Sequence, residues 1–148
     1  MRRHSAFTLL ESLLVLTVVS LFIMVPTMLI KKTTQTMATI YFFDQLEKSI
    51  LTCQQVAIVS GRYTEALLYS PSQPEIVFWL NPSERLETLT IPETLRVPRA
   101  WRGVKFSGGT GNTNLYQNID FIWDEKKQKI TYRFLIGKGH YEKIITDL

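Results

Sequence analysis

Cysteine and histidine are almost missing from this chain: Cys53 stands alone, and His4 and His140 are the only imidazoles in 148 residues. A single thiol excludes an internal disulfide and leaves no Cys/His cluster for a structural zinc site. No nucleophile motif accompanies the histidines, so a Ser-His-Asp arrangement has nothing to build on. The acidic residues are scattered rather than spaced as in a Ca²⁺-binding loop. The one glycine-rich tract, Gly108-Gly109-Thr110-Gly111-Asn112-Thr113-Asn114, lacks both the Gly-x4-Gly-Lys-Ser/Thr spacing and the following helix that phosphate cradles use. The chain is therefore expected to be neither an enzyme nor a cofactor protein. Charge is present but nearly balanced, 17 basic against 13 acidic residues, and a net of +4 does not by itself call for nucleic acid.

Charge is entirely lacking from Ser12 to Ile30. As a helix rising about 1.5 Å per residue, this run reaches roughly 28 Å, close to the hydrocarbon thickness of a bilayer. A buried globular helix is the alternative, but such helices are seldom apolar on every side, and a chain of this length has little core in which to hide one. A secretory signal peptide is the second alternative, since Arg2 and Arg3 supply a positive end. Against it, Glu11 sits where the apolar region should begin, and Lys31-Lys32-Thr33-Thr34 offers no small-x-small cleavage site. Pro26, inside the run, is expected to kink or locally open the helix, because it removes a backbone donor and crowds the carbonyl four residues back.

Beyond Lys32 the pattern becomes one-sided. Phe43, Leu46, Ile50, Cys53 and Ala57 recur at spacings of three and four, with Asp44, Glu47, Lys48 and Gln54 on other faces, which predicts a helix laid against a sheet. Cys53 falls in that stripe and reads as a small core residue rather than a redox thiol. The polar tract 31–36 reads as a joint, and Gly61 is the expected C-cap of a helix that starts near Phe7 and ends at Ser60. Tyr63–Tyr69 and Glu75–Leu80 then flank Ser70-Pro71-Ser72-Gln73-Pro74 as a β-hairpin that Asn81-Pro82-Ser83 ends. Residues 84–103 are less regular, with Pro92 and Pro98 restricting strands there to short or edge positions. Leu115–Trp123, Ile130–Ile136 and Tyr141–Ile145 predict an antiparallel meander, separated by the charged turn 124–129 and by Gly137-Lys138-Gly139.

The head of the chain carries a sharper signal. Ala6-Phe7-Thr8-Leu9-Leu10-Glu11, preceded by a short basic leader and followed by the uncharged run, resembles the class III signal of type IV pilins and pseudopilins. The family mostly has Gly where this chain has Ala6. The resemblance implies that a prepilin peptidase cuts between Ala6 and Phe7 and N-methylates Phe7, making Glu11 the fifth residue of the mature chain. Removing Arg2 and Arg3 leaves 15 basic and 13 acidic residues, a net of +2. A carboxylate deep in a bilayer costs about 2.5–3.5 kcal/mol on insertion scales and needs a partner. The family supplies one in the ammonium group of a neighbouring subunit's first residue; otherwise Glu11 is an incidental polar residue near the headgroups. The flanking charges, Arg2 and Arg3 against Lys31 and Lys32, do not settle orientation; the resemblance implies a cytoplasmic N-terminus and an external C-terminal domain.

The order of the C-terminal features, a glycine-rich loop, the strand around Ile119-Asp120-Phe121, a turn, a second strand and Ile136-Gly137-Lys138-Gly139-His140-Tyr141, is similar to minor pilins of the H-like pseudopilin group, and within it to the ComGD-like minor pilins of Gram-positive competence pili. This implies a subunit that initiates or caps a filament for uptake of transforming DNA, with other pilins, the peptidase and the membrane as partners. A pseudopilin of a type II secretion system is the nearest alternative, and a surface binding module that is anchored but never polymerises is the more distant one. DNA itself is a candidate partner: Arg96, Arg99, Arg102 and Lys105 surround Trp101 with no acid between Thr94 and Phe106, so phosphate contact and base stacking are chemically available. A solvated basic loop with Trp101 packed on the sheet is the competing interpretation.

The expected architecture is α+β and pilin-like: a leader over 1–6, a membrane and assembly helix over 7–30, an amphipathic continuation over 31–61, and a small, mostly antiparallel sheet domain over 62–148.

Overall fold

The structure, a computed structural model, describes residues 9–69, 74–101 and 103–148, without the side chains of 25–31 and Tyr69. It is α+β, with one long helix and two antiparallel sheets. Its contacts divide it into two units, Met1–Met37 and Ala38–Leu148. The leader and the Ala6/Phe7 junction lie outside the described residues.

Helix α1 spans Leu9–Ser60 and contributes to both units. Its backbone is helical through position 26 and through 31–36. The Pro26 side chain lies outside the described residues. In the first unit every described side chain from Leu9 to Met24 is exposed, Leu9 at 85% and Phe22 at 75%. Among the described residues no helix is long and apolar enough to cross a membrane; the side chains of Val25–Ile30, the end of the uncharged run, are not among those considered.

In the second unit the helix buries the predicted stripe. Phe43, Leu46, Ile50, Cys53 and Ala57 are all in the core, joined by Thr39, Phe42 and Ser49. On the outer face Lys48 Nζ reaches Asp44 Oδ2 at 2.7 Å, one turn away. The helix stops at Ser60 because Gly61 turns to φ +68°, a conformation that costs a residue without Cβ little. The orphaned carbonyl of Ala57 accepts from the Gly109 N–H at 2.9 Å. The glycine-rich loop thus caps the helix.

The strands are β1 (Thr64–Tyr69), β2 (Glu75–Asn81), β3 (Glu84–Thr90), β4 (Leu95–Arg96), β5 (Val104–Phe106), β6 (Gln117–Trp123), β7 (Gln128–Phe134) and β8 (Tyr141–Asp147). They form two four-stranded sheets, ordered β3-β2-β1-β5 and β4-β6-β7-β8, where the sequence suggested one. β4 and β5 are neighbours in the chain but belong to different sheets, so the proline-bearing segment 97–103 carries the chain from one sheet to the other. In the region expected to hold only short or edge strands, β4 is short and β3, though seven residues long, lies at an edge. Register shifts beside Trp79 break its alternation, so Leu86 and Leu89, three residues apart, both pack against the core and hide the period of two.

Alternate residues of β6 and β7 line the core: Ile119, Phe121 and Trp123, then Ile130, Tyr132 and Phe134. Phe42 and Phe43 of α1 each meet Phe121 edge-on, with centroids 5.6 Å apart. Such pairs contribute about 0.5–1.5 kcal/mol each beyond the area they bury. On the other sheet, the Thr64 hydroxyl donates to the Cys53 carbonyl at 2.8 Å, which brings β1 close to the helix where only Cys53 and Ala57 stand between. Burial first, and the charge of Glu87 second, push the Cys53 thiol up to about 12 against the opposing hydrogen bond with Thr64.

One polar cluster fastens α1 to the edge of the second sheet. Glu47 Oε1 accepts from the Tyr132 hydroxyl at 2.9 Å and from Lys143 Nζ at 2.6 Å. Burial works against the Glu47 charge, but the Lys143 and Tyr132 hydrogen bonds and the Lys143 charge outweigh it and hold the carboxyl below its ordinary range. A carboxyl depressed in the folded state stabilises the fold above its unfolded pKa of about 4.3, and that stabilisation fades as pH falls through the folded value. Glu47→Gln is therefore expected to lower the melting temperature at pH 7 and to make progressively less difference below about pH 4.3. Thermal unfolding of both proteins between pH 7 and pH 3 tests this, and a constant difference across that range would exclude the role.

Candidate functional site

Two regions carry the expected function: the head of α1 and the basic segment 96–105. At the head, Glu11 occupies the first helical turn and is the only charged residue from Leu9 to Ile30. The polar residues that follow bond back to the helix. Thr17 Oγ1 lies 2.9 Å from the Leu13 carbonyl and 2.8 Å from that of Leu14, and Ser20 Oγ donates to the Leu16 carbonyl at 2.8 Å. These hydroxyls meet their needs within their own helix, which suits them to an apolar medium.

In the basic segment, Arg96 and Lys105 are engaged by carboxylates. Arg96, on β4, is bound to Asp124 in a two-point pair, Nε to Oδ2 at 2.5 Å and a terminal nitrogen to Oδ1 at 2.6 Å. The hydrogen bonds of this pair hold the Arg96 guanidinium above its ordinary range and the Asp124 carboxyl below it. Lys105, on β5, lies 3.4 Å from Glu65 and over the ring of Tyr63 at 5.5 Å. Arg99 is exposed. Arg102 lies outside the described residues. Trp101 is only 7% exposed and belongs to the core cluster, and among the described residues its Nε1 has no hydrogen-bond partner. The stacking platform expected of Trp101 is taken up by packing: a hydrophobic surface of this size is worth more inside than on a basic loop. A cleft of about 550 Å³ beside it is lined by Leu68, Leu95, Val97 and Trp101 with Arg96 at its margin. Among the described residues no three His, Cys, Asp or Glu side chains stand where they could hold a metal ion.

Sequence reasoning missed a second grouping of cations and aromatics. Arg85 lies over the Trp79 ring at 5.1 Å, and Glu65 stands opposite Trp79 in the β1–β2 register, beside Lys105. The grouping depends on strand pairing between residues far apart in the chain, and no local pattern announces it. Comparison with known proteins finds no family model, no curated protein and no solved structure that matches the chain.

Trp101→Ala is expected to destabilise the chain by about 3–5 kcal/mol through lost burial and the cavity left behind. Arg99→Glu, at an exposed position, should shift stability by less than about 0.5 kcal/mol. Chemical unfolding of both variants checks the contrast, and near-equal effects would contradict the division of roles between these residues.

Proposed function

We propose that the chain is a minor subunit of a competence type IV pilus, in which residues 7–30 anchor and assemble and the sheet-bearing unit meets other pilins. In this reading Ala6–Phe7 is the peptidase junction, Phe7 carries the methyl group, and the protein resides in the cell membrane before it joins a filament at the cell surface.

The observation that carries the reading is Glu11: one carboxylate near the head of the described helix, followed to Met24 by mostly apolar side chains that are all exposed. Among the described residues these side chains are exposed, and in this reading lipid or the helices of other subunits cover them. In either cover a carboxylate costs about 2.5–3.5 kcal/mol on insertion scales. An ammonium group at the head of an adjacent helix compensates it and fixes the axial stagger between the two helices. Direct contact with DNA, where it occurs, falls to Arg99 and the neighbouring cations rather than to Trp101. The same chemistry serves a type II secretion pseudopilin; scoring a deletion for transformation and for protein secretion separates the two.

Glu11→Ala should leave the protein in the membrane fraction and reduce its recovery in sheared filaments by about tenfold or more, the scale of one buried charge pair. Immunoblots of both fractions, with mass spectrometry of the N-terminal peptide, make the test. A variant that enters filaments normally, or a native chain that does not begin at N-methylated Phe7, would overturn the proposal.

A further inference from the structure

The two sheets end in four edges, and three of them are blunted. β4 has two residues and β5 three. β3 is broken by two register shifts. Short or bulged edges discourage the approach of another strand. β8 is different. It pairs with β7 at all seven positions, Tyr141 to Asp147, with no shift, proline or glycine, and among the described residues no strand lies on its other side. Ile145 is 56% exposed on it. A straight edge of this length presents a row of backbone donors and acceptors whose natural complement is another extended strand.

We infer that β8 pairs antiparallel with β8 of a second copy about a two-fold axis at Ile145, joining two four-stranded sheets into one of eight. The choice of axis follows from the side chains. Tyr141, Lys143 and Ile145 lie opposite Phe134, Tyr132 and Ile130, the core-facing residues of β7. Keeping the core-facing sides of both copies together requires the axis to pass through a residue rather than between two. An axis at Glu142 sets glutamate on glutamate, and one at Lys143 sets lysine on lysine. An axis at Ile144 gives no charge pair, because Lys143 then meets Ile145. With the axis at Ile145, Lys143 of each copy faces Asp147 of the other, and Ile144 faces Thr146. Opposite charges across strands stabilise and like charges destabilise, by a few tenths of a kcal/mol to about 1 kcal/mol per pair. Lys143 has three donors, so it can hold Glu47 of its own helix and Asp147 of the second copy together. This pairing is independent of the filament reading above.

The axis makes a position-specific test. Residues on a two-fold between antiparallel strands face their own copies with Cα atoms about 4.5–5.5 Å apart, within the span of a disulfide. The full-length chain in detergent is the material, and Cys53, buried and with its thiol pushed up to about 12, does not compete. Ile145→Cys should form a covalent dimer under mild oxidation, while Glu84→Cys, on the β3 edge, stays monomeric. Adding Asp147→Lys to the Ile145→Cys chain should reduce the yield at least tenfold. Sedimentation of the chain without added cysteine gives the second measurement, with a dimer expected for the native chain and a loss of mass for Asp147→Lys alone. A cross-link no stronger at 145 than at 84, an adduct of Ile145→Cys with a different protein only, or a dimer indifferent to Asp147→Lys would each overturn the pairing.

Discussion

One helical segment, Ala38–Ser60, serves as the inner wall for two sheets, and most of the second unit follows from that constraint. Ser49 bonds Glu87 of β3, and the Cys53 carbonyl accepts from Thr64 at the start of β1. Phe43 and Glu47 face β6, β7 and β8. A helix that packs on a single sheet needs an apolar stripe about 100° wide; one shared between two needs more. The buried set of Thr39, Phe42, Phe43, Leu46, Ser49, Ile50, Cys53 and Ala57 supplies it. Where that arc includes polar residues, they are paired. The Thr39 hydroxyl meets that of Thr94 at 2.5 Å, and the Ser49 hydroxyl reaches both Glu87 and the Gln45 carbonyl. Burying such groups without partners would cost several times what each hydrogen bond contributes.

Side-chain size along the stripe sets the spacing. Phenylalanines at 42 and 43 hold the helix off β6 at ring distance, while Cys53 and Ala57 let β1 and the glycine loop come close. At that narrow end the packing depends on residues without a side chain. A methyl group at Gly139 would meet the Gly111 carbonyl at 2.7 Å and run into the Gln54 amide. The Gly111 oxygen is backbone and cannot rotate away. The Thr113 backbone and hydroxyl complete the joint, bonding Leu135, Gly137 and Lys138 in the turn between β7 and β8. The glycine-rich tract, which a motif search examines for phosphate, here serves as the joint between a helix end and two sheets.

Features governed by local chemistry were legible in the sequence. The stripe from Phe43 to Ala57 follows from helical spacing, the end of α1 from Gly61, the first hairpin and the final meander from alternation and turn residues. What depends on distant pairing was not legible. β3 is obscured because a bulge shifts Leu86 and Leu89 out of step. The division into two sheets turns on the chain switching partners between Arg96 and Val104, which no periodicity records. Arg96 reads as a free cation until the 3₁₀ turn at Asp124–Lys126 brings Asp124 to it across 28 residues. Trp101 stands among arginines in the sequence and among apolar side chains in the fold. Composition names a side chain's chemistry, but burial decides which part of that chemistry is available.

The same distinction bears on α1. Before Lys31 its apolar residues are distributed all round, and Thr17 and Ser20 turn their hydroxyls back to the helix. Beyond Ala38 the apolar residues narrow to an arc and the outer face carries Asp44 and Lys48 as a pair. A uniform surrounding does not select for both patterns. The second is what water on one side and a sheet on the other require, and the first fits the apolar surroundings of the proposed function. In the proposed function the Glu11 charge has its role at the level of the assembly. In the proposed filament, removing that charge would leave apolar helices still able to pack, but with nothing to fix how far one is offset along another.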